Sequence, residues 1–237
     1  MSQYYSYRND DNGGFLGGFL GNIPKATRNI FLVNVLMFLA TSLNKRFMFE
    51  TFSMFFPGSP LFKWWQPLTY MFMHGSFFHI FANMWGLLMF GSILERTIGY
   101  KKFLYLYFLS GFGALLLHTG VQYLEAMPLL EKIAQGDLAA RTSYSVMLGS
   151  PMLGASGAIF GAQVAYAMLY PNTVLTLIFP PVSLRAKWFV AVFIGIELIA
   201  GLSGATDGVA HFAHLGGALV GFLMIRYWKK KGNLWNN

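Results

Sequence analysis

The sequence predicts an all-α, polytopic membrane protein of six transmembrane helices. Three observations lead there. Only 11% of the residues are charged and 55% are hydrophobic, whereas soluble domains carry about 25% charged residues. Six segments are apolar over the roughly 17–25 residues that a bilayer-crossing helix needs. Lys and Arg collect on one side of those segments, as they do on the cytoplasmic side of membrane proteins.

Residues 1–25 begin MSQYYSYRNDDNGGFLGGFLGN. A secretory signal needs a basic start, an apolar stretch and a small-residue cleavage site. This segment is polar and Gly-rich instead, so it is expected to be a flexible cytoplasmic N-terminal segment, with Phe15, Phe19 and Leu20 touching the membrane surface. The core is expected over 26–228. Its first span covers about 26–43 and its second about 76–95, after Trp64-Trp65 and Pro67. The third covers about 102–122. The fourth covers about 153–170, closed by Pro171, which removes a helix donor and clashes with the preceding turn. The fifth covers about 186–202, after Pro180-Pro181. The sixth covers about 208–228 and runs into a basic cytoplasmic tail over 229–237 that opens with Lys229-Lys230-Lys231.

Two connections are long. Residues 44–75, with many aromatics and Pro57-Gly58, read as an outward loop dipping into the interface. Residues 123–152 mix Glu125, Glu131, Lys132, Asp137 and Arg141 with apolar residues, which reads as an amphipathic insert with a surface helix over about 126–141. Six spans put both termini on one side of the membrane. Twelve of the Lys and Arg fall on that side and five on the other, so both termini are expected in the cytoplasm. The net charge of +8 is thereby a matter of topology. A nucleic-acid surface would need a basic face interleaved with aromatics, and none is visible. The chain has no Cys, which excludes disulfides, thiolate metal ligands and cysteine nucleophiles.

Ionisable and polar groups inside a span are costly, and they concentrate where a membrane protein does its work. Here His79 and Asn83 lie in the second span, Ser156 in the fourth, Glu197 in the fifth, and His211 and His214 in the sixth. The topology sets His79, Asn83, Ser156 and His214 at a similar depth in the outer half. Ser156 stands in GASGAIFG, residues 154–161. At a helix start it has free backbone N–H groups beside it, which suit a developing oxyanion. The same Gly and Ser residues would also serve close helix packing. A serine nucleophile needs a base, and AHFAHLGGALVG, residues 210–221, offers two histidines. On a helical wheel His214, Gly217 and Gly221 share about 60° of arc. His214 therefore points at the face that glycine opens to a neighbouring helix, and His211 is left a packing or hydrogen-bonding role. A lone histidine in a span also serves as an interhelical hydrogen bond.

His79 and Asn83 are one turn apart on one face, and both can donate hydrogen bonds to developing negative charge. They could equally hold their helix to its neighbours. No carboxylate stands at a convincing third position. Glu197 falls near the middle of the fifth span, and Asp207, four residues before His211, falls in a short outer loop. A Ser-His dyad is thus the reading, not a triad. His79, His211 and His214 lack the HExxH spacing of a metal site, so no metal and no cofactor is expected.

These motifs resemble the rhomboid family of intramembrane serine proteases. GxSG matches Gly154–Gly157. AHxxGxxxG matches Ala213, His214, Gly217 and Gly221. HxxxN matches His79 and Asn83, and Glu95 with Gly99 resembles an ExxxG at the inner end of the second span. The resemblance covers the six-helix core, about 26–228. It implies a rhomboid-like bundle with the fourth helix central and a cleft open to the outside between the second and fifth. It implies cleavage of transmembrane protein substrates within the lipid bilayer, with Ser156 as nucleophile, His214 as base, and the Ser156 N–H, His79 and Asn83 binding the oxyanion. An integral protein of a bacterial cell (inner) membrane is expected. Two features depart from the family pattern. Phe160 stands where relatives often have Tyr, and Trp64-Trp65-Gln66 replaces a Trp-Arg pair in the first loop. Two other readings remain at this point: a catalytically dead relative that binds membrane proteins, and a transporter using Glu197 and the histidines as a proton path.

Overall fold

The computed structural model describes residues 18, 20–176, 181–203, 210–232 and 234. The expectations placed on 1–17, on Phe19, on Pro180, on Asp207 and on most of 233–237 lie outside the described residues. The long helices are α1 (Lys25–Leu43), α4 (Phe77–Ile98), α5 (Tyr100–Ala134), α7 (Ser156–Leu169), α8 (Ala186–Leu202) and α9 (His211–Lys230). Shorter ones are α2 (Lys45–Phe52), α3 (Gln66–Thr69) and α6 (Leu138–Gly149). A small antiparallel hairpin pairs β1 (Val174–Thr176) with β2 (Ser183–Arg185), Leu175 opposite Leu184. With an isolated antiparallel bridge between Met54 and Met152, it is the β structure among the described residues of a mostly helical fold.

Each of the six expected spans overlaps one of the long helices, but among the described residues length and apolarity qualify only α1, α4 and α5 as bilayer-crossing. The fourth expected span is a helix of 14 residues, about 21 Å long and short of a roughly 30 Å hydrocarbon core. It begins at Ser156 because the chain ahead of it is extended. The helix is wrapped by α5 and α9, with Gly157, Ala158, Gly161, Ala162 and Ala165 buried. Leu36, Phe77, Phe78, Leu116 and Ile199 are all more than half exposed. In water such a surface would associate; against lipid tails it costs nothing.

The expected surface helix over about 126–141 is corrected. The third span continues unbroken to Ala134, 35 residues in all, with Pro128 inside it. The break falls at Gly136, whose φ is +88°. Asp137 then starts α6 by accepting from the N–H groups of Ala139 and Ala140 at 2.8 and 3.1 Å, a capping contact of ordinary kind. The loop over 44–75 is also more ordered than expected. Asn44 caps α2 by accepting from Phe47 N. Gln66 is fully buried. Its Nε2 donates to the carbonyls of Leu61 (2.9 Å) and Glu50 (3.3 Å), and its Oε1 accepts from Lys63 N (3.1 Å).

The centre of the bundle is a seam of small residues. A methyl group at Gly217 would run into the carbonyl of Gly157, and one at Gly221 into the carbonyl of Gly161. A methyl at Gly216 would meet the carbonyl of Gly113, and one at Gly157 would meet Ala114. Helices α5, α7 and α9 therefore touch backbone to backbone, the approach that glycine permits between membrane helices. Away from the seam, α1 is docked by a carboxylate. Pro24 gives no capping side chain, and buried Glu95 of α4 replaces it. Its two oxygens accept from Ala26 N at 2.8 Å, Thr27 N at 2.7 Å and Thr27 Oγ1 at 2.9 Å. A negative group at a helix N-terminus satisfies orphan donors and complements the helix dipole. Gly99, with φ at +83°, then turns the chain from α4 into α5.

Two expectations about stability follow. Gly217→Ala should destabilise the folded protein by about 3 kcal/mol, whereas Gly195→Ala, where nothing lies within 4 Å, should be neutral or stabilising by up to about 1 kcal/mol. Thermal unfolding of the two variants in detergent separates them, and equal melting points would refute the seam. Glu95→Ala should cost about 2–3 kcal/mol by stripping the α1 terminus of its acceptor. Equilibrium denaturation measures that loss, and wild-type stability in the variant would count against the capping role.

Candidate active site

Three pieces of chain position Ser156. Met54 and Met152 exchange two backbone hydrogen bonds of 2.9 and 2.8 Å, and Gly154 N donates to Tyr70 O at 2.9 Å. Tyr70 in turn donates its hydroxyl to Gly111 O of α5 at 2.7 Å. The loop over 44–75 thus grips the extended segment that feeds α7. Gly154 sits at φ +124°, and a Cβ there would lie 2.7 Å from His79 Nε2. Both the backbone angle and the space demand glycine. The chain then enters α7 at Ser156, and the first helical bond runs from Ile159 N to Ala155 O. The N–H groups of Ser156, Gly157 and Ala158 therefore have no acceptor within the helix.

The structure brings Ser156 and His214 together. Oγ of Ser156 lies 2.7 Å from Nε2 of His214. The imidazole is only 9% exposed and stacks on Phe160, with centroids 4.3 Å apart and planes 4° from parallel. Phe160 keeps the ring contact, and its missing hydroxyl leaves that stack intact. Both groups line a cavity of about 610 Å³ together with His79, Asn83, Gly154 and Gln163.

His79 and Asn83 also reach the cavity. Nδ1 of His79 accepts a long hydrogen bond, 3.5 Å, from Gly75 N. In the neutral ring the proton then resides on Nε2, the nitrogen beside Gly154, so His79 presents a donor to the cavity. His79 Nε2 and Ser156 Oγ both lie within 4 Å of the point a Gly154 Cβ would occupy. Asn83 spends one N–H on the carbonyl of His79 at 2.9 Å; its amide holds a second. His74 is fully buried with its ring edge-on to His79, 4.9 Å between centroids. Burial, with the neighbouring His79 adding to it, pushes the His74 imidazole down to about 3, so it stays neutral.

One sequence reading needs correction. Glu197, set aside there as a mid-helix group, reaches both histidines. Its Oε2 lies 2.7 Å from His211 Nδ1, and its Oε1 lies 3.0 Å from His214 Nδ1, off the line of a good hydrogen bond. The depths match because α8 and α9 are consecutive and antiparallel. Glu197 stands five residues before the end of α8, and His214 three residues after the start of α9. The signal was present in the sequence: a carboxylate in an apolar helix must find partners. His211, left with a hydrogen-bonding role, takes it through Glu197. Among the described residues no group of three or more His, Asp or Glu could hold a metal ion.

Comparison with known proteins gives this geometry its context. The Rhomboid domain family matches residues 61–231. The chain is 30% identical over 163 residues to the rhomboid protease AarA of Providencia stuartii, covering 68% of this chain and 54% of that one. It is 30% identical over 163 residues to RHOMBOID-like protein 1 of Arabidopsis thaliana, covering 68% and 33%. It is 31% identical over 166 residues to the mitochondrial presenilin-associated rhomboid-like protein of Bos taurus, covering 68% and 38%. The matched region spans about half, or less, of the length of these relatives. The match runs from the loop before α3 to the end of α9 and takes in every residue that lines the cavity. With its long apolar helices, the chain is an integral membrane protein and belongs to the rhomboid family.

Proposed function

We propose that this chain is an intramembrane serine endopeptidase that cleaves transmembrane segments of membrane proteins. The observation that carries the reading is the 2.7 Å contact between Ser156 Oγ and His214 Nε2 inside a cavity walled by apolar helices. Ser156 Oγ attacks the scissile carbonyl carbon as His214 Nε2 takes its proton. The carbonyl oxygen becomes an oxyanion, held by the Ser156 N–H at the start of α7 and by His79 and Asn83. Collapse breaks the C–N bond, and His214 returns the proton to the leaving amine. Water, deprotonated by the same imidazole, then releases the acyl group from Ser156. No metal or cofactor enters any step.

The same reading assigns the surroundings. Residues 26–228 form a six-span core with both termini in the cytoplasm, a cytoplasmic segment over 1–25 and a basic tail over 229–237. The charge distribution supports that orientation. It opens the cavity toward the outer face, with the 44–75 and 123–152 connections on that side. Substrates are membrane proteins whose helix can enter from the bilayer and present an unwound peptide to Ser156. The relatives come from bacterial and mitochondrial sources among others, and a bacterial inner membrane is the proposed location.

Purified protein in proteoliposomes should cleave a single-span model substrate. Ser156→Ala and His214→Ala should each remove at least about 10³-fold of that activity. Wild-type cleavage by Ser156→Ala would rule out the nucleophile, and an inert wild type that also resists fluorophosphonate labelling would favour a binding-only relative. Gly154→Ala should lower kcat by about 10–100-fold, because a displaced His79 misaligns the site. An unchanged kcat would remove His79 and Gly154 from the oxyanion geometry.

A further inference from the structure

We propose that Glu197 is a positioning residue for His214, making the site a serine–histidine–carboxylate relay spread over α7, α9 and α8. The inference rests on the proteolytic reading above and goes beyond its two-residue machinery. Apart from Lys187 in its first turn, Glu197 is the only charged residue of α8, and it is 9% exposed. A carboxylate so placed in an apolar helix is costly to insert, so its contacts must offset that. Both its oxygens are committed to α9: one to His211 Nδ1 at 2.7 Å and the other against His214 Nδ1 at 3.0 Å.

The chemistry of the base requires such a group. To accept the Ser156 proton, His214 must keep Nε2 unprotonated, which puts the neutral ring's proton on Nδ1. That nitrogen is buried and has no well-formed hydrogen bond, and Glu197 Oε1 is the carboxylate oxygen beside it. Phe160 lies parallel to the ring, so the imidazole can still turn within its own plane. A small in-plane turn brings Nδ1–H onto Oε1 without breaking the stack, and resting enzymes commonly hold such contacts loosely. When Nε2 takes the proton, an imidazolium forms on a ring that is only 9% exposed. The carboxylate then stabilises it, as the third group does in soluble serine hydrolases. His211, one turn earlier on α9, fixes the carboxylate from its other oxygen.

The test compares wild type, Glu197→Gln, Glu197→Asp and Ser156→Ala in proteoliposomes with a single-span substrate. The readouts are kcat, KM, melting temperature and the rate of fluorophosphonate labelling. Glu197→Gln should lose about 10²-fold or more in kcat and in labelling rate, with KM within about threefold and melting temperature unchanged. Glu197→Asp, which keeps the charge, should recover part of both. A Glu197→Gln kcat within twofold of wild type overturns the proposal and leaves the Ser156–His214 reading standing. Losses that follow the melting temperature, with Asp no better than Gln, reduce Glu197 to a packing tie and also overturn it. A wild type that neither cleaves nor labels overturns the relay and the proteolytic reading together.

Discussion

Everything at the centre of this molecule depends on α7 and α9 meeting backbone to backbone. Gly157 and Gly161 face Gly217 and Gly221 with no room for a methyl group. Membrane helices have little hydrophobic drive to associate, since lipid tails are as apolar as leucine. What holds them is close packing, and glycine makes it possible at no cost in side-chain entropy. The contact also sets the reach between two short side chains. Ser156 and His214 sit at the N-terminal ends of the same two glycine rows, so their 2.7 Å separation is fixed by main-chain geometry.

The remaining parts serve that contact from outside. The 44–75 segment, held on the buried side chain of Gln66, binds Met152 and Gly154 and so fixes the extended approach to Ser156. Tyr70 ties the same segment to α5, the third partner in the seam. At the opposite end of α4, Glu95 secures α1 through three hydrogen bonds to its first turn. Polar groups are few in this chain, and Thr27, Gln66, Glu95, Glu197, His211 and His214 link separate segments, whereas Asn34, Thr41 and Asn83 donate to a carbonyl one turn back in their own helix. In lipid a buried polar atom with no partner is heavily penalised, which both the links between segments and the bonds back within a helix relieve.

Much of this was legible in the sequence, and the misses have physical causes. Helical spacing alone aimed His214, and not His211, at the glycine face, because the phase of a helix is reliable over three turns. Depth was less reliable. Glu197 was expected near the middle of its span, whereas it stands five residues before the end of α8, and which face it presents is decided by tertiary packing. The third span was cut short because composition changes after residue 122, although the helix continues through Pro128 to Ala134. The fourth was drawn too long, since apolar residues ahead of Ser156 are extended rather than helical. Hydrophobicity records what is buried in lipid or protein, not which backbone geometry buries it. The hairpin of three-residue strands lies below what periodicity can detect.

Helix α4 carries a π-helical turn over Leu87–Gly91. The part before that turn presents Asn83 to the cavity, and the part after it presents Glu95 to α1. In an uninterrupted α-helix those two side chains would point about 120° apart. A π turn absorbs one residue without advancing the helix, which reduces the offset to about 20°. One inserted residue thereby lets a single helix face hold two unrelated contacts a dozen positions apart. The phase of the N-terminal part can be tuned without retuning the anchor at the C-terminal end, so the two ends of α4 are free to evolve as separate parts.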